Sequence, residues 1–163
     1  QWQAARAPHA AMPGHRDMAT GAAGAFAEHA LLLDLRRGDR VDVLFAGAAV
    51  MAAFGIAPGY LASDGDGGLA ALLLDSCELM RLWHAIVPVD AALAGSTSAC
   101  LLTRGVLLPL ADDAGGFGYV HGVPNWKQLL DRAASENLRR EVNVVLRGDS
   151  ALLSAFPESL RKN

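Results

Sequence analysis

Charge is scarce and nearly balanced in this chain: charged residues make up 19% of its 163 residues, and the formal net charge is -3. With no basic surplus to neutralise a phosphate backbone, no nucleic-acid partner is expected. Cysteine is nearly absent. Cys77 and Cys100 are too few for a disulfide framework and too far apart for a CxxC site. They read as reduced, buried thiols of a cytoplasmic protein. No apolar run approaches the ~20 residues of a membrane span, and no apolar signal core follows the first six residues. A membrane partner is therefore not expected, and the opening Gln1 suggests a trimmed chain. Apolar residues are plentiful at 52%, enough for one domain with a real core.

Catalytic and metal-binding patterns are missing too. The five histidines, His9, His15, His29, His84 and His121, form no HxH or HExxH pairing, and no GxSxG elbow occurs. The run Asp64-Gly65-Asp66-Gly67-Gly68 resembles the opening of a calcium loop, but Leu69 falls where that loop needs glycine. It reads as a turn in which Asp64 or Asp66 caps the next helix. Cys77 and His84 lie two helical turns apart without a third partner, and read as a packed thiol and a helix-end histidine. Asp112-Asp113 beside Gly115-Gly116 reads as a solvated hairpin tip rather than a carboxylate pair. The reading assigns no catalytic residue and no metal ligand.

What is present is a legible order of elements. Residues 1–20 form an irregular lead-in with room for a helical turn, and a weak helix is possible over 21–28. Apolar runs at 30–35 and 41–47 bracket a charged turn containing Gly38, which signals a hairpin. Residues 48–54 make a short helix stopped by Gly55. In the helix after the glycine loop, Leu69, Leu72, Leu73, Ser76, Met80 and Trp83 recur at three- and four-residue spacing and define a buried face. Extended segments follow at 85–93, 99–110 and 117–123, the last ending at Pro124. Their short turns suit an antiparallel meander. A long helix over 125–147 closes the domain, and 148–163 is a tail.

A five-stranded antiparallel sheet with helices on one face encloses an apolar space, and such spaces bind small molecules. The large side chains available to line it are Met51, Phe54, Tyr60, Cys77, Met80, Trp83 and His84. The competing reading is that they fill it as plain core. On the last helix, Trp126, Leu129, Leu130 and Ala133 share one side, whereas Leu138, Val142 and Val145 share another. The second stripe predicts a homodimer interface; the competing reading is that both stripes fold back onto one domain, for instance under the Leu152–Phe156 tail.

This element order is that of a PAS domain. Two stretches carry the resemblance. Residues 29–55, HALLLDLRRGDRVDVLFAGAAVMAAFG, resemble the opening hairpin of PAS-like domains common in alphaproteobacteria. Residues 106–130, VLLPLADDAGGFGYVHGVPNWKQLL, are similar to their last hairpin, an acidic-glycine turn followed by a strand and a tryptophan. The fold expected is PAS-like α+β, with the PAS-like domain at 21–130. The resemblance implies a non-enzymatic, cytoplasmic sensor or protein-interaction module, homodimeric, with a small apolar ligand and a signalling partner protein. It supplies no cofactor residues. The flavin-type Asn-Cys-Arg-Phe-Leu-Gln run is absent, and His84 is the one histidine placed to serve as a haem ligand, a role it is not expected to fill. No cofactor is expected. The alternatives are a small-molecule enzyme using Asp90, His84 and His121 on a similar cup, and a purely structural dimerisation module.

Overall fold

The computed structural model describes residues 12–19, 26–63, 68–97, 99–129, 136–137 and 139–143. The chain divides into two compact units, Gln1–Gln128 and Leu129–Asn163.

Among the described residues the first unit holds six antiparallel strands: β1 (Leu31–Asp34), β2 (Asp42–Ala46), β3 (Gly59–Tyr60), β4 (Val87–Ala94), β5 (Cys100–Ala111) and β6 (Phe117–Gln128). Their order across the sheet is β3-β2-β1-β6-β5-β4. The helices are α1 (His15–Ala19), α2 (Ala48–Phe54) and α3 (Leu69–Trp83). Two opening strands, inserted helices and a closing meander make this the PAS-like α+β architecture anticipated from the element order. The two-residue β3 adds a sixth strand to the five expected, pairing Asp42 with Tyr60 at the sheet edge.

Local chemistry sets the boundaries. The β1–β2 turn passes through Gly38 at φ 70°, a left-handed position that a side chain resists. Helix α2 stops where Gly55 turns left-handed and its N–H donates to the Met51 carbonyl at 2.9 Å. Helix α3 begins at Gly68 rather than at an aspartate, while Asp64 and Asp66 lie outside the described residues. At the β5–β6 turn, Asp112 Oδ1 accepts N–H bonds from Ala114 at 2.9 Å and Gly116 at 3.0 Å. Asp113 pairs with Arg16 at 2.9 Å. The hairpin-tip reading of these two aspartates holds.

The core lies between one sheet face and the helices. Helix α3 presents Leu69, Leu73, Ser76, Cys77 and Met80 to it. Leu69, Leu73 and Met80 are sealed from solvent, and burial of each contributes about 1.5–3 kcal/mol. Arg81 ties the helix to the β1–β2 turn, donating from Nη1 to the Leu35 carbonyl at 3.0 Å and from Nη2 to the Arg40 carbonyl at 3.3 Å. The opposite sheet face is covered at one end by the N-terminal segment. The Ala111 N–H donates to the Pro13 carbonyl at 2.8 Å, Met18 packs with Leu110, and His15 stacks on Tyr119 at 4.2 Å.

One boundary differs from expectation. Residues 125–128 belong to β6 and are not the start of a helix. The strand runs through Pro124 because β1 pairs only as far as Gly122. Beyond that point β6 has β5 as its sole ladder neighbour, and an edge admits proline. In the second unit, residues 136–137 and 139–143 are helical; the remainder of the expected 125–147 helix lies outside the described residues.

Candidate functional site

A half-open cavity of about 460 Å³ lies where the C-terminal end of α2, strand β3, the N-terminal end of α3 and the β4–β5 turn converge. Its apolar wall is Phe54, Ile56, Leu61 and Leu69, with Tyr60 at the side. The rest of the lining is mostly glycine and alanine: Gly55, Ala57, Ala62, Gly68, Ala70, Ala71, Ala94 and Gly95. The space exists because these residues carry almost no side chain. The volume is that of a small-molecule site.

Backbone and serine contacts hold the rim. Ser96 bonds the end of α2 twice, through Oγ to the Ala52 carbonyl at 2.7 Å and through N–H to the Ala53 carbonyl at 2.8 Å. Gly95 fits between Leu101 and the Ala53 carbonyl, where a Cβ would lie 2.9 Å from Leu101 Cδ1. Phe54 links the cavity wall to the core. Its ring meets Trp126 edge-on at 4.9 Å, and Trp126 in turn lies 4.7 Å from His29. His29 Nδ1 is buried without a hydrogen-bond partner.

The seven residues expected to line one pocket are divided by the fold. Phe54 and Tyr60 do line the cavity. Cys77 and Met80 are instead fully buried members of the core, where the α3 stripe packs against the sheet. Met51 is 39% exposed and faces out from α2. Trp83 and His84 sit at the opposite end of α3 from the cavity. Trp83 is 75% exposed, and His84 caps the helix in the left-handed conformation at φ 48° with its ring 5.2 Å from Phe117. Of the expected dimer stripe, Val142 is 46% exposed, while Leu138 and Val145 lie outside the described residues. The small lining residues escaped a search for large side chains. The signal for them was the clustering of glycine and alanine at the ends of two helices.

Electrostatics separate the inert groups from the responsive ones. Burial pushes the Cys77 thiol up to about 12, which leaves it protonated and unreactive. Burial lowers the pKa of His121 below the ordinary imidazole value. Asp34 is held below the usual carboxylate range, first by its side-chain bond to Arg36. Among the described residues, no three His, Cys, Asp or Glu side chains are grouped to hold a metal, and no helix is long and apolar enough to cross a membrane.

No family model and no curated protein matches the chain. Among solved structures it is similar to a cysteine-to-serine mutant of Vivid, at 14% identity and TM-score 0.48, covering 63% of this chain and 84% of that one. It is also similar to the light-state dimer of Vivid, a fungal blue-light photoreceptor, at 14% identity and TM-score 0.45, covering 59% and 75%. A light-oxygen-voltage domain studied with a flavin analogue aligns at 12% identity and TM-score 0.47, covering 78% and 93%.

Proposed function

We propose that this chain is a PAS-like sensory domain that binds a small uncharged ligand in the cavity at the N-terminal end of α3, and passes its occupancy to a signalling partner protein. The character of the lining carries the reading. Among the described lining residues, only Tyr60, Ser63 and Ser96 have polar side chains, and none is a carboxylate, histidine, lysine or arginine. Such a wall, lined by exposed backbone N–H and C=O groups beside Phe54, Ile56 and Leu69, supports binding by shape and backbone contact rather than acid–base catalysis. The two unpaired cysteines support a reducing, cytoplasmic setting.

Asp90 borders a shallow hollow with Leu102, Arg104 and Asn125, and neither His84 nor His121 lines it. Asp90 pairs with Arg104 at 3.3 Å, on the sheet face away from the helices. His121 stands opposite Leu108, and Asp90 opposite Arg104, which faces Asn125. Four ladder positions and two strands put the two groups about 16 Å apart.

The test pairs native mass spectrometry of the freshly purified protein with a fluorescence titration by 1-anilinonaphthalene-8-sulfonate. Wild type should bind the dye at one saturable site. Ala71→Phe, which fills the cavity from α3, should weaken binding at least about tenfold with an unchanged thermal melt. Dye binding that is absent, or equally tight in the variant, rejects the cavity as a ligand site.

A further inference from the structure

Trp126 stands between two groups that the backbone holds still. Its indole meets Phe54 edge-on at 4.9 Å and the His29 ring at 4.7 Å. His29 ends the 3₁₀ turn Ala27–His29. That turn is locked to the start of α2, because Gly47 fits closely against the Ala27 and Glu28 carbonyls and its N–H donates to the Ala30 carbonyl at 2.8 Å. The other end of α2 is fixed by Ser96, which bonds the Ala52 and Ala53 carbonyls. Phe54 follows directly, and it forms part of the cavity wall.

The tryptophan is less restrained. Its strand pairs with β1 only as far as Gly122, and its backbone N–H donates to the neighbouring Asn125 side chain at 2.8 Å. Among the described residues its indole N–H has no acceptor, and His29 Nδ1 is buried without a partner. An indole N–H only donates, and a neutral imidazole has one nitrogen that accepts. Buried polar atoms are nearly always matched, so two adjacent rings here hold an unmade hydrogen bond.

We infer that the Phe54–Trp126–His29 stack reads the occupancy of the cavity: a ligand pressing on Phe54 turns the Trp126 indole until its N–H donates to His29 Nδ1. The inference rests on the cavity being a ligand site and adds how that site is sensed. His29 and Phe54 sit on locked backbone, so the indole is the part that turns. It has two arrangements, stacked and bonded, and a ligand that favours one of them by contact shifts the balance. Rotation about the Trp126 side-chain torsions is enough, and the β5–β6 ladder stays intact. Trp126 lies two residues before the end of β6, so the change arrives where the strand leaves the sheet.

NMR of the tryptophan indoles in the full chain tests this, with the uncharged dye N-phenyl-1-naphthylamine as the cavity probe and Trp126→Phe to assign the resonance. At saturating dye the Trp126 indole N–H should move downfield and exchange with solvent up to about tenfold more slowly, the effect of one hydrogen bond of ordinary net strength. The slowed exchange separates a bond from ring currents of the dye. His29→Phe keeps a stacked ring without an acceptor and should abolish the slowing. His29→Asn, which carries an acceptor near the Nδ1 position, should restore it. Dye affinity should fall by no more than about tenfold in His29→Phe, the most that linkage to one such bond allows. Ala71→Phe, which fills the cavity from α3, should slow the exchange with no dye present. Dye bound at one site with Trp126 exchange unchanged, or slowing as large in His29→Phe as in wild type, overturns the inference. Dye that fails to bind while Ala71→Phe still slows the exchange counts against the cavity as a ligand site and supports the stack.

Discussion

Asp34 grips Arg36 two residues along the chain by three hydrogen bonds. Arg36 donates from Nε to Oδ1 at 3.0 Å, from Nη2 to Oδ2 at 2.7 Å and from its backbone N–H to Oδ1 at 3.0 Å. The guanidinium also lies 4.7 Å from the centre of the Tyr119 ring, which His15 stacks against. One buried carboxylate thus positions the exit of β1 and the aromatic seat of the N-terminal segment together. Asp34→Asn should cost about 1–2 kcal/mol in urea unfolding at pH 7, a moderate figure because Arg36 is half exposed.

The same carboxylate has a pH signature. Its pKa is lowered in the folded chain, so its contribution is complete above the ordinary value of 3.8 and is lost as pH falls through the folded value. Between pH 5 and 7 Asp34→Asn should therefore be destabilised by a constant amount. Below about pH 4 the gap to wild type should close. A gap that stays constant down to pH 2 would count against the pairing.

His121 acts at a higher pH. Burial lowers its folded pKa below 6.5, so the unfolded chain binds a proton that the native state resists. Stability should be full above pH 6.5 and fall as acid takes the pH below it, well before Asp34 titrates. His121→Gln should remove this first acid-dependent loss. Denaturant midpoints at pH 7.5, 6 and 5 would show it.

The two thiols should behave differently towards an alkylating or disulfide reagent. Cys100 is not the buried thiol expected from the sequence: at the start of β5 it is exposed, and it should react in the native protein. Cys77 is sealed in the core with its thiol pushed up to about 12, and should react only upon unfolding. Mass spectrometry of labelled protein should find one adduct before denaturant and two after.

Gly47 is required by close approach rather than by its dihedral angles. It precedes α2 at an ordinary φ of -66°, yet a Cβ there would run into the carbonyl oxygens of Glu28 and Ala27. Those atoms are backbone and cannot swing aside. Gly47→Ala should lower stability by about 2–4 kcal/mol, measured as a shift of the urea midpoint.

Along α3, the division between core and surface can be measured directly. Met80→Ala should cost about 2–5 kcal/mol because it opens a void in a closed core. Trp83→Ala, three residues on, should change monomer stability by no more than about 0.5 kcal/mol at low concentration.

Much of the fold was legible because glycine and apolar spacing act locally. The stop at Gly55, the 69–83 helix and the opening hairpin follow from short-range patterns and match the structure. Pro124 misled, because its effect depends on whether a neighbouring strand reaches that level, which the chain does not reveal locally. The site was less legible for a related reason. Trp83 and Met80 belong to one helical stripe in the sequence, but the sheet covers the helix at Met80 and stops short of Trp83. A cavity is also marked by missing atoms, so Ala71 and Gly95 define it more than any large residue does.

The position of β1 has a consequence for how the chain is made. β1 lies in the middle of the sheet, between β2 and β6, although it precedes the sheet's other described strands in the chain. Leu31 meets Gly122, so roughly ninety residues must leave the ribosome before that ladder can close. Until then the newborn β1–β2 hairpin carries a bare edge of leucines with no neighbour to shield it. β5 and β6, joined by a five-residue turn, can zip together as soon as they emerge. Assembly is therefore gated by the arrival of β6, and any truncation before Gly122 should leave a sticky, unfinished sheet rather than a smaller domain.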